Sequence, residues 1–411
     1  MDCYRTGDPE KLIIYNDNLA TKWLLCSKIH NVDNRDIATY GSFNNYYDIK
    51  KRYCKFAYTE ITGYAIELLL DLNRRTDDVV YLENAELAGA WILGMQNKGT
   101  DDGSIGSFLY CLNLADRTKS NEVFPFDAGV CIGALSDLYD KTRDIAYLDS
   151  AAKGALWLVE TMQNSDGSFK PLTILGEPYN SGNAGKKSSS RLNIRDSWYN
   201  LNGCHHGKIA IGLLKYYSVS NGGSWLLECV SSLCNWLLSQ QDSSGYFSVV
   251  SGSKVTFSHT HCYALEALLY AHEYLKDQSL FDAAKLGGDW LIKLQRNDGG
   301  IPAWTNTQHF VSYIDISAVA QAVRIWSVLY SETGSSTYGY AMEKALRYLT
   351  RMQSTKQGID TSGGFYLADL DFKVAKYRLK RLYSWPTIFA VHAKNLQHDM
   401  AFKKVLGTEL W

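Results

Sequence analysis

One phrase recurs along the chain and fixes what it can fold into. Ala90-Trp91-Ile92-Leu93-Gly94-Met95-Gln96 returns around Trp157 and Gln163, Trp236 and Gln241, and Trp290 and Gln295. It returns again with tyrosine for tryptophan at Tyr348 and Gln353, and a degenerate first copy runs from Trp23 to Lys28, with Lys28 in the glutamine's place. Each copy closes a stretch with apolar residues at helical spacing, and long repeats of this kind decide the fold before any local reading does. A glycine turn follows every copy: Gly41-Ser42-Phe43, Gly103-Ser104-Ile105, Gly167-Ser168-Phe169, Gly245-Tyr246-Phe247, Gly299-Gly300-Ile301 and Gly363-Gly364-Phe365. Glycine at a helix end supplies the left-handed conformation, and the bulky residue two positions on plugs the hairpin into the core.

A second, more apolar helix is expected after each turn, near 60–72, 127–139, 206–217, 261–274, 315–330 and 384–396. A helix that is apolar nearly all round is a buried one, so these form an inner ring and the Trp-bearing helices an outer ring. The expectation is an all-α fold, an (α/α)6 toroid of six outer–inner helix pairs closed by the N-terminal helix. It occupies 1–411 as one domain, since any division would cut the repeat series. Only six prolines in 411 residues suit twelve long helices. The charge is balanced at −1, which disfavours nucleic acid as a partner. No run reaches the roughly 18 apolar residues of a membrane span. The start carries no apolar leader, and the nine scattered cysteines read as reduced thiols, so a cytoplasmic location is expected.

Gln163-Asn164-Ser165-Asp166-Gly167-Ser168-Phe169 resembles the repeat signature of the terpenoid-cyclase and protein-prenyltransferase toroids. Tyr58-Thr59-Glu60-Ile61-Thr62-Gly63-Tyr64, Ser258-His259-Thr260-His261-Cys262-Tyr263-Ala264 and Leu382-Tyr383-Ser384-Trp385 are similar to segments of bacterial and archaeal toroid proteins associated with surface-polysaccharide synthesis. The same architecture serves glucuronyl epimerases, polysaccharide lyases and glycosidases, so the resemblance implies carbohydrate chemistry without choosing the reaction.

The inner helices all start at one end of the ring, and their first residues bring Tyr58 and Glu60, Asp127, His205 and His206, His259 and His261, Tyr313 and Asp315, and Tyr383 and Trp385 to one mouth. Acids, imidazoles and phenols converging there are what general acid–base catalysis needs. Six helix N-termini facing the mouth favour an anionic ligand. Plainer roles stand beside these: Asp127 and Asp315 as N-caps, Glu60 as a first-turn acid on the helix dipole, and the aromatics as packing. Histidine is a poor cap, and four of the nine cluster at two neighbouring helix starts. Trp198, Arg195 and Lys187 in a Ser/Gly-rich insertion, with the basic run Lys373, Lys376, Arg378, Lys380 and Arg381, add candidate sugar contacts.

Proton abstraction beside the carboxylate of a uronate-containing sugar, giving an epimerase or a lyase, is the leading expectation. Catalytic candidates are His259, His261, His205, His206, Tyr58, Glu60, Asp127, Asp315 and Tyr383, and substrate contacts are Trp385, Tyr313, Trp198, Arg195 and Lys187. The partner is then an acidic saccharide. A glycoside hydrolase using two rim carboxylates is the competitor. A non-catalytic glycan-binding toroid is a further alternative, favoured if the histidines pair with backbone in the wall. No cofactor is expected. Zinc on Cys204, His205, His259 and His261 is the remaining option, because prenyltransferase-like and lanthionine-cyclase-like toroids hold zinc at comparable places. Asn202 stands where the prenyltransferase pattern has aspartate, and Asp369-Leu370-Asp371-Phe372 lacks the last acid of a protonating cyclase motif.

Overall fold

A computed structural model describes residues 16–99, 103–176, 198–220, 222–305, 313–368 and 380–411. Lys187, Arg195, Lys373, Lys376, Arg378 and the segment 369–372 lie outside the described residues. The outer helices are α1 (Asn16–Cys26), α3 (Val79–Met95), α5 (Ile145–Trp157), α7 (Ser224–Gln240), α9 (Gln278–Leu294) and α11 (Ser336–Met352). The inner ones are α2 (Thr59–Thr76), α4 (Pro125–Thr142), α6 (Lys208–Ser220), α8 (Ser258–Leu275), α10 (Ile316–Thr333) and α12 (Ser384–Asp399). Their alternation makes the six-pair toroid that the repeat predicts.

Burial follows the sequence pattern. Helix α8 is buried without interruption from Ser258 to Ala271, and α10 from Ile316 to Leu329. Helix α9 buries only one stripe, through Leu280, Ala284, Gly287 and Leu291, at the three-to-four spacing of an amphipathic outer helix. Small residues let the inner helices touch closely. A Cβ on Gly212 of α6 would lie 1.9 Å from the main-chain oxygen of Gly129 in α4. Tight two-residue turns join α2 to α3, α4 to α5, α8 to α9 and α10 to α11. At three of them a left-handed C-cap (Asp77, Arg143, Lys276) is followed by an aspartate whose side chain caps the next helix (Asp78, Asp144, Asp277).

The repeated glutamine stitches each unit to the next. Its side-chain amide donates to the carbonyl of its own turn glycine and to one in the following outer helix: Gln241 reaches Gly245 at 3.0 Å and Ala283 at 2.9 Å, and Gln96 reaches Gly106 at 3.0 Å and Ser150 at 2.8 Å. The turn glycine lies flat on the same neighbour. A Cβ on Gly167 would fall 2.2 Å from the Ser232 oxygen, one on Gly299 2.0 Å from Lys344, and one on Gly363 2.0 Å from Leu19. These glycines also have φ between +88° and +106°, so no other residue fits.

Two repeat assignments need correction. The second copy's turn is Gly106-Ser107-Phe108, not Gly103-Ser104-Ile105, because Gly106 meets Lys153 and Phe108 is fully buried while Ile105 is exposed. In the first copy His30, not Lys28, takes the glutamine's place. It pairs with Phe43 as Gln96 pairs with Phe108, and its ring stacks on Phe43 at 4.1 Å. The extra residue between Trp157 and Gln163 is absorbed as a π-helical turn, Leu158–Met162.

The ring closes between α1 and α12. Trp23 Nε1 donates to the Asp360 carbonyl at 2.9 Å, and Gly364 lies against the Trp23 ring. Arg75 of α2 bridges Asp71 and Asp399 of α12 at 2.7 Å. A five-stranded sheet spans the seam in the order β2 (Tyr53–Cys54), β1 (Tyr46–Asp48), β11 (Arg381–Tyr383), β10 (Ser362–Phe365), β9 (Gln353–Thr355). Short antiparallel pairs edge the same end of the ring, β3 (Phe56–Tyr58) with β4 (Cys111–Asn113), β5 (Glu122–Val123) with β6 (Thr173–Ile174), and β7 (Thr256–Phe257) with β8 (Trp304–Thr305). Strands β3, β7 and β11 run directly into α2, α8 and α12, which sets where the first side chains of those helices point. Among the described residues no helix is long and apolar enough to cross a membrane.

Candidate active site

Two carboxyls meet at the mouth on neighbouring inner helices. Glu60 lies in the first turn of α2 and Asp127 in the first turn of α4, and both are buried. Neither caps its helix. Asp127 accepts a hydrogen bond from the Tyr199 phenol, whose oxygen in turn accepts one from Tyr58 at 2.9 Å. Asp127 Oδ2 is buried and has no partner among the described residues. Burial pushes Glu60 up to about 8. It also raises Asp127 well above the carboxylate range, with the nearby charge of Glu60 adding to the effect. Both changes favour the neutral acid at neutral pH.

Asp315 has a different part. It is the N-cap of α10 and accepts from the Ala318 N–H at 3.1 Å, so its carboxylate serves the helix end.

The four histidines separate by environment. His261 faces the wall between the rings: its Nδ1 accepts from the Phe247 N–H at 3.1 Å, its Nε2 lies 3.3 Å from the Gly287 carbonyl, and Trp290 packs on it. This is backbone pairing of a structural kind, and it sets His261 apart from the mouth. His205 and His206 sit on a 3-10 turn, Cys204–Gly207, that leads into α6. Both are fully buried, no ring nitrogen of either has a partner among the described residues, and burial holds both far on the neutral side. His205 packs within 5.6 Å of Phe126 and Trp198, and the ring of His206 is 4.3 Å away. His259 is the one rim histidine with measurable exposure, 7%. Its Nδ1 is 2.5 Å from Gln321 Oε1. An amide oxygen only accepts, so Nδ1 carries the proton and Nε2 is the basic nitrogen. Burial lowers its pKa below 6.5, which leaves the ring neutral at pH 7.

Tyr263 connects the two halves of the mouth. Its ring lies 4.5 Å from that of His259, and the Lys208 ammonium lies over both the Tyr263 and the Tyr64 rings. Beneath them is a buried ionic floor. Lys208 pairs with Glu266 at 2.9 Å, its ammonium lies 5.6 Å from the Tyr263 ring centre, and Arg324 reaches Glu266 at 3.4 Å. Trp411 caps this floor, stacked on His392 at 4.1 Å, with its main-chain oxygen bound to Arg324.

Around the rim, Tyr383 and Trp385 pack together at 4.9 Å, and Arg381 lies 4.1 Å above the Tyr46 ring. Tyr313 packs into a satellite core with Phe257 and Trp304, and Trp198 lies against it. Tyr58 is buried and bonds Tyr199. Among the described residues no three His, Cys, Asp or Glu side chains are arranged to hold a metal ion.

Sequence reading missed Tyr199, Gln321 and the floor. Two signals were available: charged residues at otherwise apolar inner-helix positions (Lys208, Glu266, Arg324), and a tyrosine beside the already chosen Trp198.

No family model matches the sequence, and no curated protein matches it. Solved structures do. A cellobiose 2-epimerase from Bacillus thermoamylovorans is 12% identical with a TM-score of 0.70, over 92% of this chain and 96% of that one. A D-mannose isomerase (11%, 0.70, over 94% and 96%) and an unsaturated glucuronyl hydrolase specific for heparin (11%, 0.66, over 95% and 97%) align as completely. The fold is that of the α/α-toroid carbohydrate enzymes.

Proposed function

We propose that the chain is a saccharide-acting enzyme that moves protons at the ring mouth. His259 is the base, and the Glu60–Asp127 pair is the acid. One observation carries the reading: at neutral pH the imidazole is unprotonated with Nε2 as its basic nitrogen, while the two carboxyls across Tyr263 hold protons. A base and an acid already in opposite protonation states are what abstraction from one side and delivery from the other require.

The substrate we infer is an acidic, uronate-containing sugar. Neutral carboxyls do not repel its carboxylate, the inner-helix N-termini favour it, and Arg381 stands at the rim. In the proposed step His259 Nε2 takes the proton from the carbon beside the uronate carboxylate. The charge developing on that carboxylate is stabilised by hydrogen bonds from the neutral acids. Return of a proton to the opposite face gives an epimer, and loss of a neighbouring substituent gives an unsaturated sugar. The aromatic rim of Tyr383, Trp385 and Trp198 offers faces for sugar rings.

The test is incubation of the purified protein with uronate oligosaccharides in deuterated water. Expected is deuterium at the carbon beside the carboxylate, or ultraviolet absorbance from an unsaturated product. Either is lost by about 10²-fold or more in His259→Gln and in Glu60→Gln. Appearance of reducing ends alone, abolished in Asp127→Asn and kept in His259→Gln, would refute proton abstraction. It would favour a hydrolase, for which the close carboxyl pair is the specific support.

A further inference from the structure

Five outer helices keep one count. Val79 and Trp91, Ile145 and Trp157, Ser224 and Trp236, Gln278 and Trp290, and Ser336 and Tyr348 all stand twelve residues apart, and the first of each pair opens its helix. The same count back from Trp23 reaches Lys11, whereas α1 is described from Asn16. The third residue of each of the five helices is apolar and turned inward: Tyr147, Leu226, Leu280 and Tyr338 are buried and Tyr81 is half-buried. Ile13 holds that place in the first copy. The second residue is exposed at Ala146, Ser279 and Thr337, and Leu12 holds that place. Just upstream, Asp8-Pro9 is a helix-start signal, a capping aspartate followed by proline at the first helical position.

A groove of about 540 Å³ lies beside α1, although native interiors leave few voids larger than a water molecule. Ala20 of α1, Met342, Glu343 and Leu346 of α11, and Val391 and Gln397 of α12 border it. The α3–α5 pair shows what the equivalent place holds. Gly363 lies on Leu19 as Gly106 lies on Lys153, so α1 stands to α11 as α5 stands to α3. A Cβ on Gly89 of α3 would fall 2.9 Å from the Tyr147 ring and would also meet Leu138 of α4. The Tyr147 hydroxyl donates to the Glu86 carbonyl at 3.4 Å. Counted from Trp91 and from Tyr348, Gly89 corresponds to Leu346 and Glu86 to Glu343. Counted from the helix starts Pro125 and Ser384, Leu138 corresponds to Gln397. All three counterparts border the groove.

We propose that residues 11–15 dock in this groove as the opening turns of α1, with Ile13 against Leu346 and Gln397 and Leu12 turned to solvent. The chain's own segment is the occupant, rather than a second copy or a free apolar ligand, because it needs no linker to arrive. Ile13 and Ala20 are seven residues apart, so a helix continued back from Asn16 puts both on one face, and Ala20 already borders the groove. The groove is then the place where the first unit receives the last.

The experiment is amide hydrogen exchange of the full chain, read by mass spectrometry on peptides spanning 11–15. The unmodified protein is expected to protect them by about 10²-fold or more over an unstructured segment, at every protein concentration. Ile13→Asp is expected to remove that protection. Ile13→Tyr is expected to keep it, since tyrosine serves at Tyr147 and Tyr338, and Leu12→Asp to leave it unchanged. From the groove side, Leu346→Asp is expected to release the same peptides. Exchange at the unstructured rate in the unmodified protein overturns the proposal. Equal effects of Leu12→Asp and Ile13→Asp overturn it too, because the contact would then lack the repeat's facing. Protection that appears only as concentration rises gives the groove to a second copy and also overturns it. Should Leu346→Asp fail to fold, the three substitutions within the segment decide. No readout here depends on turnover, so failure leaves the reading of the mouth as it stands.

Discussion

Replacing Glu60 by glutamine should change how folding stability depends on pH, by an amount the site itself fixes. An acid whose pKa is raised in the folded state binds more protons there than in the unfolded chain between the two values. Its contribution is fully present below the unfolded value near 4.5 and is lost as pH rises through the folded value of about 8. Over that window stability falls by about 1.4 kcal/mol per pH unit. Between pH 5 and pH 8, allowing for rounding at both ends, Glu60 alone removes about 3–4 kcal/mol. Buried histidines act in the opposite sense at the acid end: His30, held at about 4, and His261, at about 3, lose stability as pH falls below their unfolded value of 6.5. They are common to both proteins and cancel in the difference. The assay is denaturant unfolding of the wild type and Glu60→Gln at half-unit steps from pH 5 to pH 9. The variant should gain on the wild type steadily as pH rises. Two curves that stay parallel would show that Glu60 ionises in the folded protein as it does in water, and the acid role assigned to it would fall with that result.

Further outcomes follow from the same contacts. Activity on a uronate substrate should fall above about pH 8 as Glu60 ionises, and on the acid side only at a pH below the ordinary imidazole range, as His259 protonates; a profile still rising beyond pH 9 contradicts that assignment. His261→Ala should destabilise the fold by about 2–4 kcal/mol in chemical denaturation, because it strands the Phe247 N–H and opens a cavity beside Trp290, while turnover per folded molecule stays unchanged. Gly212→Ala should cost about 3 kcal/mol or more, since its Cβ meets a main-chain oxygen that cannot swing aside; thermal unfolding reads it directly. Lys276→Gly should raise stability by up to about 1 kcal/mol by relieving a left-handed C-cap, visible as a higher denaturation midpoint.

The ring was legible because it is written in period. A tryptophan, a glutamine and a glycine recur because each unit meets its neighbour through the same three contacts, and those contacts tolerate few other residues. Where a copy is degenerate, spacing alone misplaces it. His30 holds the glutamine's backbone pairing two positions later than the count suggests, and Gly106 rather than Gly103 is the residue pressed against the next helix. The mouth was legible only as a set of positions. That Glu60, Asp127 and His259 start inner helices can be read from the repeat. That Asp315 is spent on a helix cap and His261 on backbone groups cannot, because a helix start exposes its first residues to the mouth, the wall or the helix end depending on a rotation that sequence does not encode. Tyr199 lies after a long insertion with no repeat partner, and only three dimensions place its phenol on Asp127.

The glutamine stitches have a consequence for how the molecule comes apart. In an open array of repeats the terminal units have one neighbour each and fray first. Here Gly363 lies against Leu19 as Gly167 lies against Ser232, so every unit has two neighbours and none is an end. Loosening one interface does not release a unit; it turns a closed ring into an open arc whose two new ends must both unravel. Amide exchange should therefore show no gradient of protection around the circle. The mouth, to which all six units contribute, should open only when the circle itself does.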